Sequence, residues 1–330
     1  MTQASTPTAE TVRSVVRSLL TDGGAGGGAA VRGGAAGGGP AGAVPDVRPV
    51  AEGGDGHTWW VGTRHVLRLA PDRDASTRQR RELRLRDLVR PHLPVPVPVS
   101  VAQGEWAPGL TCTLDAGLPG GSAEGHTVSA VGETDLAGLL TGLRDVPVRQ
   151  AETLGVPRET PRSLEALRTA AEEAAGQLAA VDEFDPAGLS RLTGSAAVQL
   201  SAQPGAAVLV HHALGGEHLV VSADGRVRGV LGWSGAVTGD PAEDIAGLAV
   251  AVGAPAAVRA ATLAGYGARP CLRGLWLARC DAVIRLAARL RGGAADAVYG
   301  ESPSLSRTRL HRAWEPILLE RVTDLGEGAE

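Results

Sequence analysis

Residues 208–222, VLVHHALGGEHLVVS, constrain the fold more than any other stretch of the chain. An apolar run enters a loop carrying His211, His212, Glu217 and His218, and a second apolar run leaves it. An Asp224-Gly225 pair follows, then the third run, RVRGVL. Each run is too short for a helix, and Asp-Gly between apolar runs is a hairpin signal. Yet the flanking segments have helical character: SLEALRTAAEEAAGQLAAVD (163–182), PAEDIAGLAVAVG (241–253) and LRGLWLARCDAVIRLAARL (272–290). A hairpin set among helices excludes both a plain bundle and a sandwich, and points to an α+β chain.

The first third has the opposite balance. DVRPVAEG (46–53), WWVG and RHVLRLA (64–70) read as strands around a GGDGHT turn. STRQRRELRLRDLV (76–89) reads as a helix with Leu83, Leu85, Leu88 and Val89 buried. LPVPVPVSVAQG (93–104) must be extended, because its prolines forbid helix and permit only an edge strand. LTCTLDAG (110–117) adds a strand. Upstream, Val12, Val15, Val16 and Leu19 recur at helical spacing. The expected organisation is a helix over 1–22, a flexible glycine-rich loop over 23–45, a β-rich lobe over 46–120 and a helical lobe over 121–330 holding the 208–233 hairpin.

At 330 residues and 43% hydrophobic content, the chain can bury two substantial cores. No run approaches a membrane span, and the N-terminus lacks the pattern of a signal peptide. A cytoplasmic protein is expected. Cys112, Cys271 and Cys280 have no paired spacing, which argues against a disulfide framework or a zinc knuckle. The net charge is −4 without a basic block, so no nucleic acid and no membrane is expected as partner; a small-molecule ligand or a protein partner is. The sequence has no lysine and no asparagine.

The segment VLVHHALGGEHLVVSADGRVRGVLGWSGAVTGDPAEDIAGL (208–248) resembles the aminoglycoside phosphotransferase family pattern H-x-D-L-x-x-x-[NH], strand, I-D-W, then G-D-P-x-x-D-[LI]-A. HVLRLA, RRE and LPVPVPV resemble the segments that precede it in that family. The resemblance implies a two-lobed protein-kinase-like fold of α+β class, with a small β-rich N-lobe and a larger helical C-lobe. It implies ATP and magnesium as cofactors and a small hydroxylated molecule as acceptor. Carried over residue by residue, Arg68 is the nucleotide clamp and Glu82 its helix partner. Cys112, Leu114 and Ala116 lie in the strand beside adenine. His211 is the loop's structural histidine, His218 takes a magnesium-ligand position, and Asp240 and Asp244 are the structural brace.

Two positions depart from the pattern. Where the family has the aspartate that orients and deprotonates the acceptor hydroxyl, this chain has Ala213; where I-D-W has its metal-binding aspartate, it has Gly232. Magnesium is hard and requires oxygen ligands, so His218 alone is a poor site; Glu217 is one oxygen candidate. A zinc site from His211, His212, Glu217 and His218 is chemically conceivable, but its spacing matches no zinc motif. Three readings stay open: a non-catalytic pseudokinase-type binding or scaffold protein, a phosphotransferase with altered or weak activity, and a decayed relative. With no lysine and no asparagine, clamp and metal ligation must use other residue types.

Overall fold

The apolar stripe at the N-terminus forms α1 (Ala9–Asp22), and Val12, Val16 and Leu19 are buried along it. The computed structural model describes residues 6–22, 46–50, 56–202, 207–292 and 302–317. The glycine-rich tract and part of the GGDGHT turn (53–58) lie outside the described residues.

The chain divides into two compact units, Met1–Leu83 with Pro98–Leu118, and Arg84–Val97 with Pro119–Glu330. In the first, β1 (Val47–Pro49), β2 (Thr58–Val61), β3 (His65–Leu69), β4 (Ser100–Ala107) and β5 (Leu110–Ala116) form an antiparallel sheet in the order β1-β2-β3-β5-β4. Strand alternation sends Trp59, Val61, Leu67, Leu69, Cys112 and Leu114 to the same core as Val12, Val16 and Leu19 of α1. Side chains of the opposite parity meet α2 (Arg73–Val89), where Gln79 Nε2 donates to the Arg68 carbonyl at 3.2 Å. Asp72 begins α2 by accepting from the Ala75 N–H at 2.7 Å.

The proline-rich stretch is not a strand over 93–99. Val95 and Val97 belong to the second unit's core, with Leu85 and Val89 from the end of α2. The Pro96 carbonyl accepts from the Val230 N–H at 3.0 Å. Prolines lack the N–H a ladder needs, so the segment contributes side chains rather than sheet pairing.

The second unit starts with β6 (Gly121–Ser122), α3 (Ala130–Asp145), the short α4 (Val148–Thr153), α5 (Leu164–Ala179) and α6 (Gly194–Gln199). Ser129 caps α3 and Ser163 caps α5, the latter accepting from the Ala166 N–H at 3.2 Å. Leu164, Ala171, Ala174 and Leu178 of α5 are buried, but Val181 lies beyond the helix and is 59% exposed. β7 (Val208–Val210) pairs with β10 (Val237–Gly239), and β8 (Leu219–Val221) lies between β6 and β9 (Val227–Val230). The β8–β9 turn uses Gly225 at φ +76°, where a β-carbon would meet the Ser129 N at 2.7 Å. Four helices complete the unit: α7 (Ala242–Val252), α8 (Ala254–Leu263), α9 (Ala268–Arg291) and α10 (Pro303–Ala313). Among the described residues no helix is long and apolar enough to cross a membrane.

Candidate functional site

β7 ends at Val210, and the loop from His211 to β8 is held from below by α7. The Asp244 carboxylate, buried in the first turn of α7, accepts from the His211 N–H at 2.8 Å and the His212 N–H at 2.9 Å. These bonds hold His212 at φ +65°, a left-handed conformation uncommon outside glycine, and turn the chain sharply into Ala213. Burial pushes the Asp244 carboxyl up to about 7, against the pull of the two donors. Asp240 lies one turn earlier. Its carboxylate accepts from Arg273 Nε at 2.5 Å and from the Ala242 N–H at 3.0 Å, so it ties the start of α7 to α9.

His211 is fully buried, with its Nε2 donating to the Leu231 carbonyl at 2.8 Å and its ring edge-on to Trp233. It therefore links the two ends of the hairpin and faces inward. His218 hydrogen-bonds through Nδ1 to the Ala213 carbonyl at 2.8 Å. A carbonyl only accepts, so Nδ1 carries a proton and donates. The ring lies over Gly232, where a β-carbon would stand 2.5 Å from Cδ2 and 2.6 Å from Nε2. Gly232 has φ +80°, so a side chain there is disfavoured by both backbone and space.

Glu217 is held by arginine through Oε2. Arg309 of α10 donates to it at 2.6 Å and to Glu124 at 2.7 Å, and Arg312 adds a second cation at Glu124. The histidines do not form a zinc site either: His211 points into the core, and among the described residues no group of three His, Cys, Asp or Glu could hold a metal. The residues at the magnesium positions thus do not fit a magnesium ion. Ala213 and Gly232 supply no oxygen side chain, His218 offers a nitrogen, and Glu217 is engaged by arginine.

Arg68 on β3 forms a two-pronged pair with Glu82 on α2, at 2.7 and 2.9 Å, and Glu82 is only 1% exposed. The strand residues expected beside adenine, Cys112, Leu114 and Ala116, lie on β5. Cys112 and Leu114 point into the core that α1 covers, and burial pushes the Cys112 thiol up to about 11. Strand parity turns both side chains inward. Ala116 is part-buried at the strand end, with its N–H given to the Val99 carbonyl at 2.8 Å.

A cavity of about 400 Å³ opens beside Ala213, walled by Leu214, Ala246, Gly247 and Ala282 with charged groups around them. Arg162 spans that wall, donating to Glu243 at 2.7 Å and to Asp281 at 2.9 Å. Burial pushes the Asp281 carboxyl up despite Arg162 beside it. The Arg162 and Arg309 clusters were not read from the sequence. Their partners lie 81 to 185 residues away along the chain, and no local pattern marks such pairs.

The model of the phosphotransferase enzyme family (APH) matches residues 46–275. Among solved structures, the GDP complex of wild-type aminoglycoside 2'-phosphotransferase-IIIa aligns with a TM-score of 0.59 at 17% identity, covering 81% of this chain and 92% of that one. Macrolide 2'-phosphotransferase type I aligns at 0.52 and 19% identity, covering 96% of this chain and 100% of that one. Macrolide 2'-phosphotransferase MphH from Brachybacterium faecium, as apoenzyme, aligns at 0.50 and 21%, covering 79% and 89%. At these identities the likeness is one of fold. No curated protein is matched by the sequence. With a β-rich unit, a mostly helical unit and a match running from β1 into α9, the chain has the kinase-like fold and belongs to the phosphotransferase enzyme family.

Proposed function

We propose that this chain is a non-catalytic member of its family, a pseudokinase-type module that binds a nucleotide and a small molecule without transferring phosphate. The observation that carries this reading is the His218–Gly232 contact: the imidazole occupies the volume that a metal-binding side chain at 232 requires. Ala213 removes the second carboxylate, and its backbone carbonyl anchors the same imidazole. Loss of a general base costs on the order of 10²–10⁴ in rate. Loss of metal ligation removes the charge neutralisation on which phosphoryl transfer depends.

Retention of binding is supported by the Arg68–Glu82 pair, which keeps a planar cation fixed and 29% exposed on β3. The cavity beside Ala213, at about 400 Å³, lies within the range of small-molecule sites. Of its four acids, Glu243 and Asp281 are engaged by Arg162 and Glu217 by Arg309, which favours a ligand of low charge over a polycation.

A thermal-shift titration with ATP, run with and without magnesium and paired with a product assay, tests the proposal. Stabilisation by ATP of equal size in both conditions, with no phosphorylated product, is expected. Magnesium-dependent stabilisation together with a phosphorylated acceptor would overturn it.

A further inference from the structure

A second and larger cavity, of about 710 Å³, lies in the helical unit between the end of α3, residues 158–161 and the start of α9. Four arginines line it: Arg144, Arg158, Arg269 and Arg273. Two are neutralised. Arg273 pairs with Asp240 at 2.5 Å, and Arg158 with Glu152 at 3.1 Å. The other two mainly meet backbone carbonyls. Arg144 donates to Ala264 O at 2.7 Å, with Asp145 no nearer than 3.8 Å, and Arg269 donates to Ser201 O at 3.1 Å. Among the described residues Arg269 has no carboxylate at ion-pair distance, and Glu159 is the remaining acid on the wall.

The position of Arg269 adds to the imbalance. It sits in the first turn of α9, a 24-residue helix with no acid in that turn and no side-chain cap at Gly267. A cation is disfavoured at the positive end of a helix. Arg269 thus stands in positive potential without a counter-charge, and Arg144, in the last turn of α3, has only Asp145 at 3.8 Å. The cavity also offers apolar surface: Tyr266, with Arg144 stacked 5.5 Å from its ring centroid, and the rings of Pro161 and Pro270. Burial pushes the Tyr266 hydroxyl up to about 12, so it remains a proton-bearing donor.

We propose that this cavity binds a small organic oxyanion, a phosphate monoester or a carboxylate, through Arg144 and Arg269, with its organic part against Tyr266. Its volume suits a whole small molecule rather than an inorganic ion. The inference is independent of nucleotide binding, because these residues belong to the helical unit alone.

Isothermal titration with phenyl phosphate, benzoate and neutral phenol, each in the absence of nucleotide, tests it. The phosphate or the carboxylate should bind, phenol should not, and added salt should weaken binding. Arg269→Ala and Arg144→Ala should each lower affinity about 10-fold or more, as expected for loss of a charged hydrogen bond. Arg90→Ala, on an exposed helix pair with Asp87, should leave it unchanged. Arg269 is exposed, so its variant should keep the wild-type unfolding midpoint without ligand. Absence of binding at millimolar probe, binding of phenol as strong as that of the anions, or affinity unaltered in both arginine variants would each overturn the proposal.

Discussion

The imidazole of His218 and the backbone of Gly232 exclude a side chain from the position next to Ala213: a β-carbon on Gly232 would stand 2.5 Å from His218 Cδ2. The substitution at 232 and the placement of His218 are therefore one structural fact rather than two. Gly232→Asp must adopt φ +80° and expel the ring, which breaks its bond to the Ala213 carbonyl. Aspartate tolerates the left-handed region better than most residues, so the expected loss is about 1–3 kcal/mol. It should shrink when His218→Ala is added, because the ring is then gone. Urea unfolding of both single variants and the double gives the coupling; strictly additive losses would mean that the ring and residue 232 do not compete.

Asp244 supports the loop from beneath by accepting two backbone N–H groups at 2.8 and 2.9 Å. Asn offers one acceptor oxygen and turns an amide donor toward the other N–H, so Asp244→Asn should cost about 1–3 kcal/mol. Its folded-state pKa, pushed up to about 7, lies above the unfolded value of about 3.9. The folded state thus binds the proton more tightly, and this contribution to stability is full below the unfolded value and lost as pH rises through 7. The stability gap between wild type and Asp244→Asn should be widest near pH 4 and narrow toward pH 8, as read from unfolding curves. A gap that widens with pH would show that the two donors outweigh burial.

Arg68 and Glu82 form the other pair whose loss should be felt. Arg68→Ala leaves a carboxylate that is 1% exposed without its arginine, and breaking a buried pair from one side typically costs about 3–5 kcal/mol. Because Arg68 is 29% exposed, the lower end of that range is expected. Replacing both partners with Met and Leu should be milder than Arg68→Ala alone. Chemical denaturation of the three proteins decides it, and a double variant weaker than the single would rule out loss of the arginine's charge beside Glu82 as the cause.

Much of this arrangement is legible in the chain. Periodicity marks α1 and α5, Ser163 marks a helix start, and the Asp224-Gly225 pair marks the β8–β9 turn. The resemblance to the family pattern implies that Asp244 braces the loop at His211, and the Asp244 carboxylate accepts from the His211 and His212 N–H groups. What periodicity does not carry is which face of a strand is covered. Cys112 and Leu114 alternate with Thr113 and Asp115, and all four are buried: the first pair lies in the core shared with α1, which the alternation alone does not reveal. Val95 and Val97 show the same limit: their prolines reveal an extended segment, but not the core that takes the valines. Long-range ion pairs are beyond local reading altogether, which is why Glu217 reads as a free oxygen until Arg309 is seen against it.

Arg309 is the residue on which the position of Glu217 depends. It is 11% exposed and bridges Glu217 to Glu124, while Arg312 backs Glu124 from the next turn of α10. Arg309→Ala leaves Glu124 with Arg312 but separates Glu217 from its arginine. Glu217 is 49% exposed, so water can solvate it, and most of the loss should come from the Glu124 side. The expected cost of Arg309→Ala is about 1–3 kcal/mol, against less than about 1 kcal/mol for Glu217→Ala. If Glu217 has no metal role, releasing it should create no response to magnesium: the melting temperature of Arg309→Ala should be the same with and without the ion. A magnesium-dependent rise confined to Arg309→Ala, and abolished by adding Glu217→Ala, would show that the arginine masks a metal ligand.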